Sequence, residues 1–281
     1  MPRGVGPEYL FQEALLQRQL WTPALLRPQL DLDAADLSTL TIPSGTLVSQ
    51  WRDNSGYNRH FAQGNFNVRP AYRQAGFNGR PCLENVTGDS MAIGSSGLGR
   101  SVGCITCAIV GSHPLGLSFT SNASELSISV GGVAQARFTM SPNPNATNVY
   151  GFFGRRLDGD GSVNFASSTD ALANRGNPWL RIGERDYSSA VGNHWTNGVQ
   201  DMTDLAGGTS GTTSNTDSSG GSIFTSTPNG TKLGQIIVIH GKLTPQEREA
   251  LVGFLTWKWW GRVNPLPALH PFKNRPPLIG G

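Results

Sequence analysis

From Gln29 to His240 the chain is a succession of short apolar runs, each broken within a few residues by Gly, Asn, Pro or Ser. That pattern excludes long helices from this region, because Gly and Pro cost about 1 and 3 kcal/mol in a helix interior. The 281 residues include 36 Gly and 18 Pro, and only 15% are charged. Short strands joined by many polar loops suit such a chain. Strands are expected at Thr46 to Arg52, Gly103 to Gly111, Leu115 to Thr120, Glu125 to Val130, Ala134 to Met140, Val149 to Phe153, Trp179 to Arg185 and Leu233 to His240. Gly131 and Gly132 separate two alternating runs and predict a hairpin. With no helices between the strands, an all-β, two-sheet antiparallel jelly-roll sandwich is expected rather than a βαβ arrangement.

The two ends read differently. Glu8 to Leu20 has helical propensity, with Leu10, Phe11, Ala14 and Leu15 on one stripe, so the sandwich carries an N-terminal helical leader. Near the other end, Thr244-Pro245-Gln246-Glu247 is a capping box with Pro at the first helical position. Leu251, Phe254, Leu255 and Trp259 then share one face of the single C-terminal helix, and Gly261 supplies its stop. Trp257, Trp259 and Trp260 read as packing residues. The prolines beyond residue 263 predict an extended arm lying on a surface. The expected divisions are a leader over 1–28, a sandwich over 29–262 and a Pro-rich arm over 263–281. Thr203 to Ser222, rich in Gly, Ser and Thr, predicts a long exposed loop.

The chemistry is sparse. Catalytic carboxylate pairs of the glycosidase kind need two acids flanking a sugar bond. Glu184 and Asp186 begin such an alternation, but Ser189 stands where its second Glu belongs. Asp53, in Asp53-Asn-Ser-Gly56, reads as a turn former rather than an acid catalyst. There is no Gly-x-Ser-x-Gly, and the five histidines lack metal-ligand spacing. The chain is therefore expected not to be an enzyme. Cys104 and Cys107 form a C-x-x-C inside an apolar run, which reads as buried thiols, and with Cys82 the odd count gives no disulfide framework. No cofactor motif is present; calcium at Asp158 and Asp160 in Leu157-Asp-Gly-Asp-Gly-Ser162 is the one candidate, with a hairpin turn as the alternative. A formal charge of +3 gives no footprint for nucleic acid, and no apolar run is long enough to span a membrane. Tyr187, Asn193, His194, Trp195 and Asn197 supply aromatic and amide groups in one short stretch, the mixture used by sugar sites on β-sandwiches.

Leu30-Asp-Leu-Asp-Ala-Ala-Asp36, Val48-Ser-Gln-Trp-Arg-Asp-Asn-Ser-Gly56 and Asn58-Arg-His-Phe-Ala-Gln63 resemble the opening of concanavalin A-like (laminin-G-like) domains carried by bacteriophage tail and capsid-surface proteins. Gln235-Ile-Ile-Val-Ile-His240 and Leu243-Thr-Pro-Gln-Glu-Arg-Glu249 resemble that family's last strand and closing helix. Asp31 is a departure, since the family more often has Trp there. The resemblance implies a non-enzymatic virion structural protein, tail-associated or a capsid decoration, made in the host cytoplasm without a signal peptide. Its implied partners are other virion proteins, further copies of itself and host glycans. Tyr9, Leu10, Phe11 and Leu15 of the leader, with Pro271 and Phe272 of the arm, are the expected assembly contacts. The alternative is a lectin module recognising host glycans; a polysaccharide-degrading enzyme is the third reading.

Overall fold

The computed structural model describes residues 19–94, 96–116, 118–119, 123–128, 136–144, 148–216 and 220–279. The strands in chain order are β1 (Leu30–Asp33), β2 (Leu40–Thr41), β3 (Gln50–Trp51), β4 (Phe61–Ala62), β5 (Ala71–Phe77), β6 (Arg80–Glu84), β7 (Met91–Ile93), β8 (Cys104–Ser112) and β9 (Ser124–Ile128). They continue as β10 (Phe138–Ser141), β11 (Val149–Gly154), β12 (Val163–Asp170), β13 (Pro178–Asp186), β14 (Val191–Thr196), β15 (Val199–Ala206), β16 (Gly221–Thr225) and β17 (Lys232–His240). A helix, α1 (Pro245–Trp260), closes the chain.

These strands make two antiparallel sheets, so the chain is a β-sandwich. The first runs β15-β14-β13-β8-β17-β6-β5, with β1 also on β17; the second runs β12-β11-β10-β9-β16-β7-β4-β3-β2. Alternation along the strands of the first sheet divides its side chains between two cores. Ile105, Cys107, Ile109, Trp179, Ile236 and Val238 join Leu126, Phe138, Met140 and Phe152 between the sheets. Ala108, Val110, Leu180, Ile182, Ile237 and Ile239 point the other way and are covered by Leu251, Val252, Leu255 and Trp259 of α1. Gly234 permits this cover: a Cβ there would come within 2.7 Å of the Trp259 ring. The capping box forms as expected, with Thr244 accepting from the Glu247 amide and the Glu247 side chain answering to the Thr244 amide.

The longest apolar strands, β8, β13 and β17, lie where the sequence places them, and β9 pairs with β10 through Ile128 and Phe138. The glycine turn between those two, like the leader residues Tyr9, Leu10, Phe11 and Leu15, is outside the described residues. Only Gln50–Trp51 of the expected Thr46 to Arg52 strand is paired as one. Of Leu115 to Thr120, Leu115 and Gly116 form a turn, Gly116 taking a left-handed φ of 79° two residues after Pro114, and Ser118 and Phe119 belong to no strand. Thr203 to Ser222 is not one exposed loop either. Its start completes β15, its end enters β16, and Thr213 is buried, donating to the Gly99 carbonyl at 2.7 Å and accepting from the Val102 amide at 2.9 Å. The arm does not stand free: Phe272 packs against the α1 core, its carbonyl accepts from Trp257 Nε1 at 2.7 Å, and Leu278 bridges back to Leu20. Pro271 is exposed.

An ion pair joins the sheets. Glu125 of β9 and Arg181 of β13 are both wholly buried, with their charged atoms 2.5 Å apart. Their geometry is that of contact rather than of an aligned hydrogen bond. Arg181 lies 4.3 Å from the ring centres of both Tyr150 and Trp179, and donates to the Ser141 carbonyl at 3.0 Å. Burial pushes the Glu125 carboxyl up, but Arg181 and His113 outweigh it and hold the group below its ordinary range. Removing one partner strands the other charge, so Arg181→Met is expected to destabilise the fold by about 3–5 kcal/mol. Adding Glu125→Gln should recover part of that loss. Urea unfolding of the single and double variants checks both.

Candidate functional site

The segment after β3 is shaped by one carboxylate. Asp53 Oδ1 accepts from the amides of Asp31 and Ser55, each at 2.9 Å. Its Oδ2 accepts from Ser55 Oγ at 2.7 Å and the Arg59 amide at 3.0 Å. The Asp53 amide donates to His60 Nδ1 at 3.0 Å, and the Asn54 amide to the Asp31 carbonyl at 2.8 Å. This is the turn chemistry the sequence indicates for Asp53, extended to bind the loop onto β1.

The loop so held forms a cleft of about 360 Å³ against the chain leading into β1, with Arg27, Asp31, Asn54, Ser55 and Tyr57 in its walls. Tyr57 is 52% exposed, and the Arg59 guanidinium lies over its ring, 4.6 Å from the centre. Arg27 sits in a left-handed conformation at the end of the 3-10 turn Pro23–Leu26. Among the described residues, neither the Arg27 side chain nor the Asn54 side-chain amide has a hydrogen-bond partner. Asp31 projects from β1 on the α1 side of the first sheet and accepts from Gln235 at 2.9 Å. Burial pushes its carboxyl up to about 6, against the opposing pull of the Gln235 bond. An aromatic face beside unpaired donors and a carboxyl can bind a polar, hydroxyl-rich ligand. Tyr57 directly follows the turn sequence ending at Gly56, a lone aromatic in a polar loop, and that was the signal available for it.

The five residues grouped in sequence do not share a surface. Tyr187 is in the core between the sheets, its hydroxyl on the Arg137 carbonyl. His194 is also buried on that side, with Nδ1 2.7 Å from Asp201. Asn193 and Trp195 alternate to the other side. Asn193 donates to Glu184 and to Asp204, both at 3.2 Å, and Trp195 lies under α1 with Arg248 4.4 Å from its ring centre. Asn197 takes a left-handed φ of 51° in the β14–β15 turn, where its side chain accepts from the Leu180 amide. Asp186 likewise caps a turn, accepting from the Ser188 amide at 2.9 Å. Asp158 and Asp160 turn to different partners: Asp158 pairs with Arg137 and accepts from Thr216 at 2.6 Å, while Asp160 accepts from the Leu157 amide at 3.0 Å. Cys82 and Cys107 are buried thiols, and burial pushes Cys82 up to about 12.

No family model matches the chain, and no curated protein matches it in sequence. Solved structures do. The binding domain of botulinum neurotoxin serotype G superposes with a TM-score of 0.56 at 13% identity, over 83% of this chain and 54% of that one. Domain 4 of AbnA, a GH43 extracellular arabinanase from Geobacillus stearothermophilus in complex with arabinotriose, gives 0.53 at 11% identity, over 80% of this chain and 98% of the domain. Trypanosoma rangeli sialidase in complex with sialic acid gives 0.50 at 10% identity, over 79% of this chain and 32% of the enzyme. The likeness is one of fold. This chain spans about a third of the sialidase and nearly all of the arabinanase domain.

Between pH 4 and 6 the folded state keeps the Asp31 proton that the unfolded chain, with its value near 3.8, has already released. Stability is therefore expected to fall as pH rises through that window. Asp31→Asn should flatten this slope and raise stability at pH 7 by about 2 kcal/mol. Urea midpoints at pH 4.5 and 7 check it, and an unchanged slope would assign the proton to another group.

Proposed function

We propose that this chain is a non-enzymatic, glycan-binding β-sandwich module and that the sugar lies in the Tyr57 cleft. One observation carries the reading: the exposed Tyr57 ring stands beside Arg27, Asn54 and Asp31, donors and a carboxyl drawn together by the Asp53 turn. Sugars present apolar C–H faces edged by hydroxyls, and a tyrosine face with neighbouring polar groups complements both. The sandwich fold shared with an arabinanase domain and a sialidase is consistent with this role and makes arabino-oligosaccharides and sialic acid the first probes.

The non-enzymatic part of the reading rests on the carboxylates. Asp53 accepts four hydrogen bonds from its own loop and β1. A hydrolase would need a second acid across the sugar bond from Asp31, and Asp53 is engaged in holding the turn. The resemblance of the Leu30 to Asp36 and Val48 to Gly56 segments to phage proteins supports a setting on a virion, where the module would hold host-surface glycans. The Phe272 ring lies on its own helix, so contacts to neighbouring virion chains would fall to other residues, exposed Pro271 among them.

Calorimetry of the chain against a glycan panel containing arabinotriose and sialic acid tests the proposal. At least one glycan is expected to bind, and Tyr57→Ala should weaken it roughly tenfold, about 1.4 kcal/mol. No reducing sugar should be released on prolonged incubation. Release that Asp31→Asn abolishes would make the cleft an active site, and binding indifferent to Tyr57→Ala would move the sugar elsewhere.

A further inference from the structure

Among the described residues, Arg137, Arg181 and Arg185 are each no more than 3% exposed, and two of them have a carboxylate. Arg181 has Glu125, and Arg137 has Asp158. Arg185, at the end of β13 and 3% exposed, has none within ion-pair distance among the described residues. Its guanidinium lies 4.2 Å from the Phe165 ring centre and 5.2 Å from that of Tyr187, and Nη2 donates to the Gly207 carbonyl at 2.7 Å. Among the described residues its Nε and Nη1 have no hydrogen-bond partner, as is also true of two nitrogens on each of Arg137 and Arg181, so the missing carboxylate is what sets Arg185 apart. A buried cation without a counter-charge is costly, and aromatic faces offset only part of that cost.

Arg185 forms the wall of a cavity of about 180 Å³ between the β11–β12 connection and the glycine-rich stretch after β15. Arg156 stands in the same wall, fixed by Nε to Thr209 Oγ1 at 3.0 Å and by Nη1 to the Thr212 carbonyl at 3.4 Å. The one carboxylate in the lining is Asp160, 3.9 Å from Arg156, so the cavity is net positive. The glycines let the backbone close over both guanidiniums. Gly208 has a φ of 77° and Gly211 one of 129°; a Cβ would come within 3.0 Å of Arg185 Nη2 at the first and of Arg156 Nη1 at the second. β12 and β11 edge the second sheet at the end opposite β2 and β3, so this cavity is separate from the Tyr57 cleft.

We propose that the Arg156–Arg185 cavity binds one oxyanion group, a carboxylate or sulfate, which supplies the counter-charge that Arg185 lacks. A positive concavity with low-dielectric walls concentrates such an anion, and a guanidinium matches its oxygens in a plane. Its volume suits a single charged group with a small appendage rather than an extended chain. The Gly/Ser/Thr-rich sequence is thereby assigned a purpose: small residues bring main chain and hydroxyls close to two cations.

The test is titration of the full chain with sodium glucuronate and sodium sulfate at constant ionic strength, observing the arginine Nε–H signals by ¹H–¹⁵N NMR. The Arg185 signal is expected to shift saturably with at least one anion and not with glucose. A response to glucuronate alone assigns a sugar-borne carboxylate; a response to sulfate, with or without glucuronate, assigns a general oxyanion site. Arg156→Gln, in the cavity wall with its side chain 18% exposed, is expected to weaken the response about tenfold while leaving the fold intact. No saturable shift with either anion, an equal shift with glucose, or a response unchanged in Arg156→Gln would overturn the proposal. Because glucose and both anions are read at Arg185 itself, sugar binding at Tyr57 can fail or succeed independently.

Discussion

The Asp53 carboxylate is where the two sheets and the cleft are tied together. It fastens the loop that leaves β3, in the second sheet, onto β1, which pairs with β17 in the first. From there the polar chain continues through the structure. The Asp31 side chain accepts from Gln235 of β17, whose Oε1 accepts from Lys258 at 2.7 Å and from Trp259 Nε1 at 3.3 Å on α1. Lys258 also pairs with Asp33. Thus the helix, the central strand β17, the short strand β1 and the Tyr57 loop share one connected set of hydrogen bonds. Where buried polar groups are fully joined in this way they fix relative positions that apolar packing alone leaves loose.

Charge inside the sandwich follows a different logic. Arg181 and Glu125 face each other across the core, flanked by Tyr150, Trp179 and His113, and burial with the nearby Arg181 keeps His113 below its ordinary range. His194 is lowered likewise by burial, even though Asp201, itself held near 2 by His194, Thr169 and Thr196 against the effect of burial, sits beside it. Each of these charges has an opposite partner beside it within the fold. Arg185 has no carboxylate within ion-pair distance among the described residues, unlike Arg137 and Arg181, and it borders an open cavity.

The sequence made the apolar strands and the capped helix legible because their signals are local: β8, β13 and β17 are long apolar runs, and the Thr244 box lies within four residues. β14 and β15 were missed because they are polar; their His194, Asn193 and Asp201 read as loop until their cross-strand partners are known. The same strand alternation explains the candidate sugar residues. Tyr187, Asn193, His194 and Trp195 are close in sequence, but a period of two sends neighbours to opposite faces of one sheet. The Tyr57 cleft was hidden for the converse reason. Arg27 and Asp31 meet Asn54 and Tyr57 through the Asp53 bonds and the Asn54–Asp31 backbone bond, and although Asp53 was legible as a turn former, its reach across 22 residues to the Asp31 amide was not.

A sugar held against Tyr57, in a cleft kept open by the Asp53 turn, is best sought in a crystal structure of the chain soaked with a glycan that binds it in solution. A sugar ring is expected over the face of Tyr57, with hydroxyls within hydrogen-bond distance of Asn54 and Arg27 and the Asp53 bonds unchanged. A sugar bound on another surface, with the Tyr57 cleft empty, would contradict it.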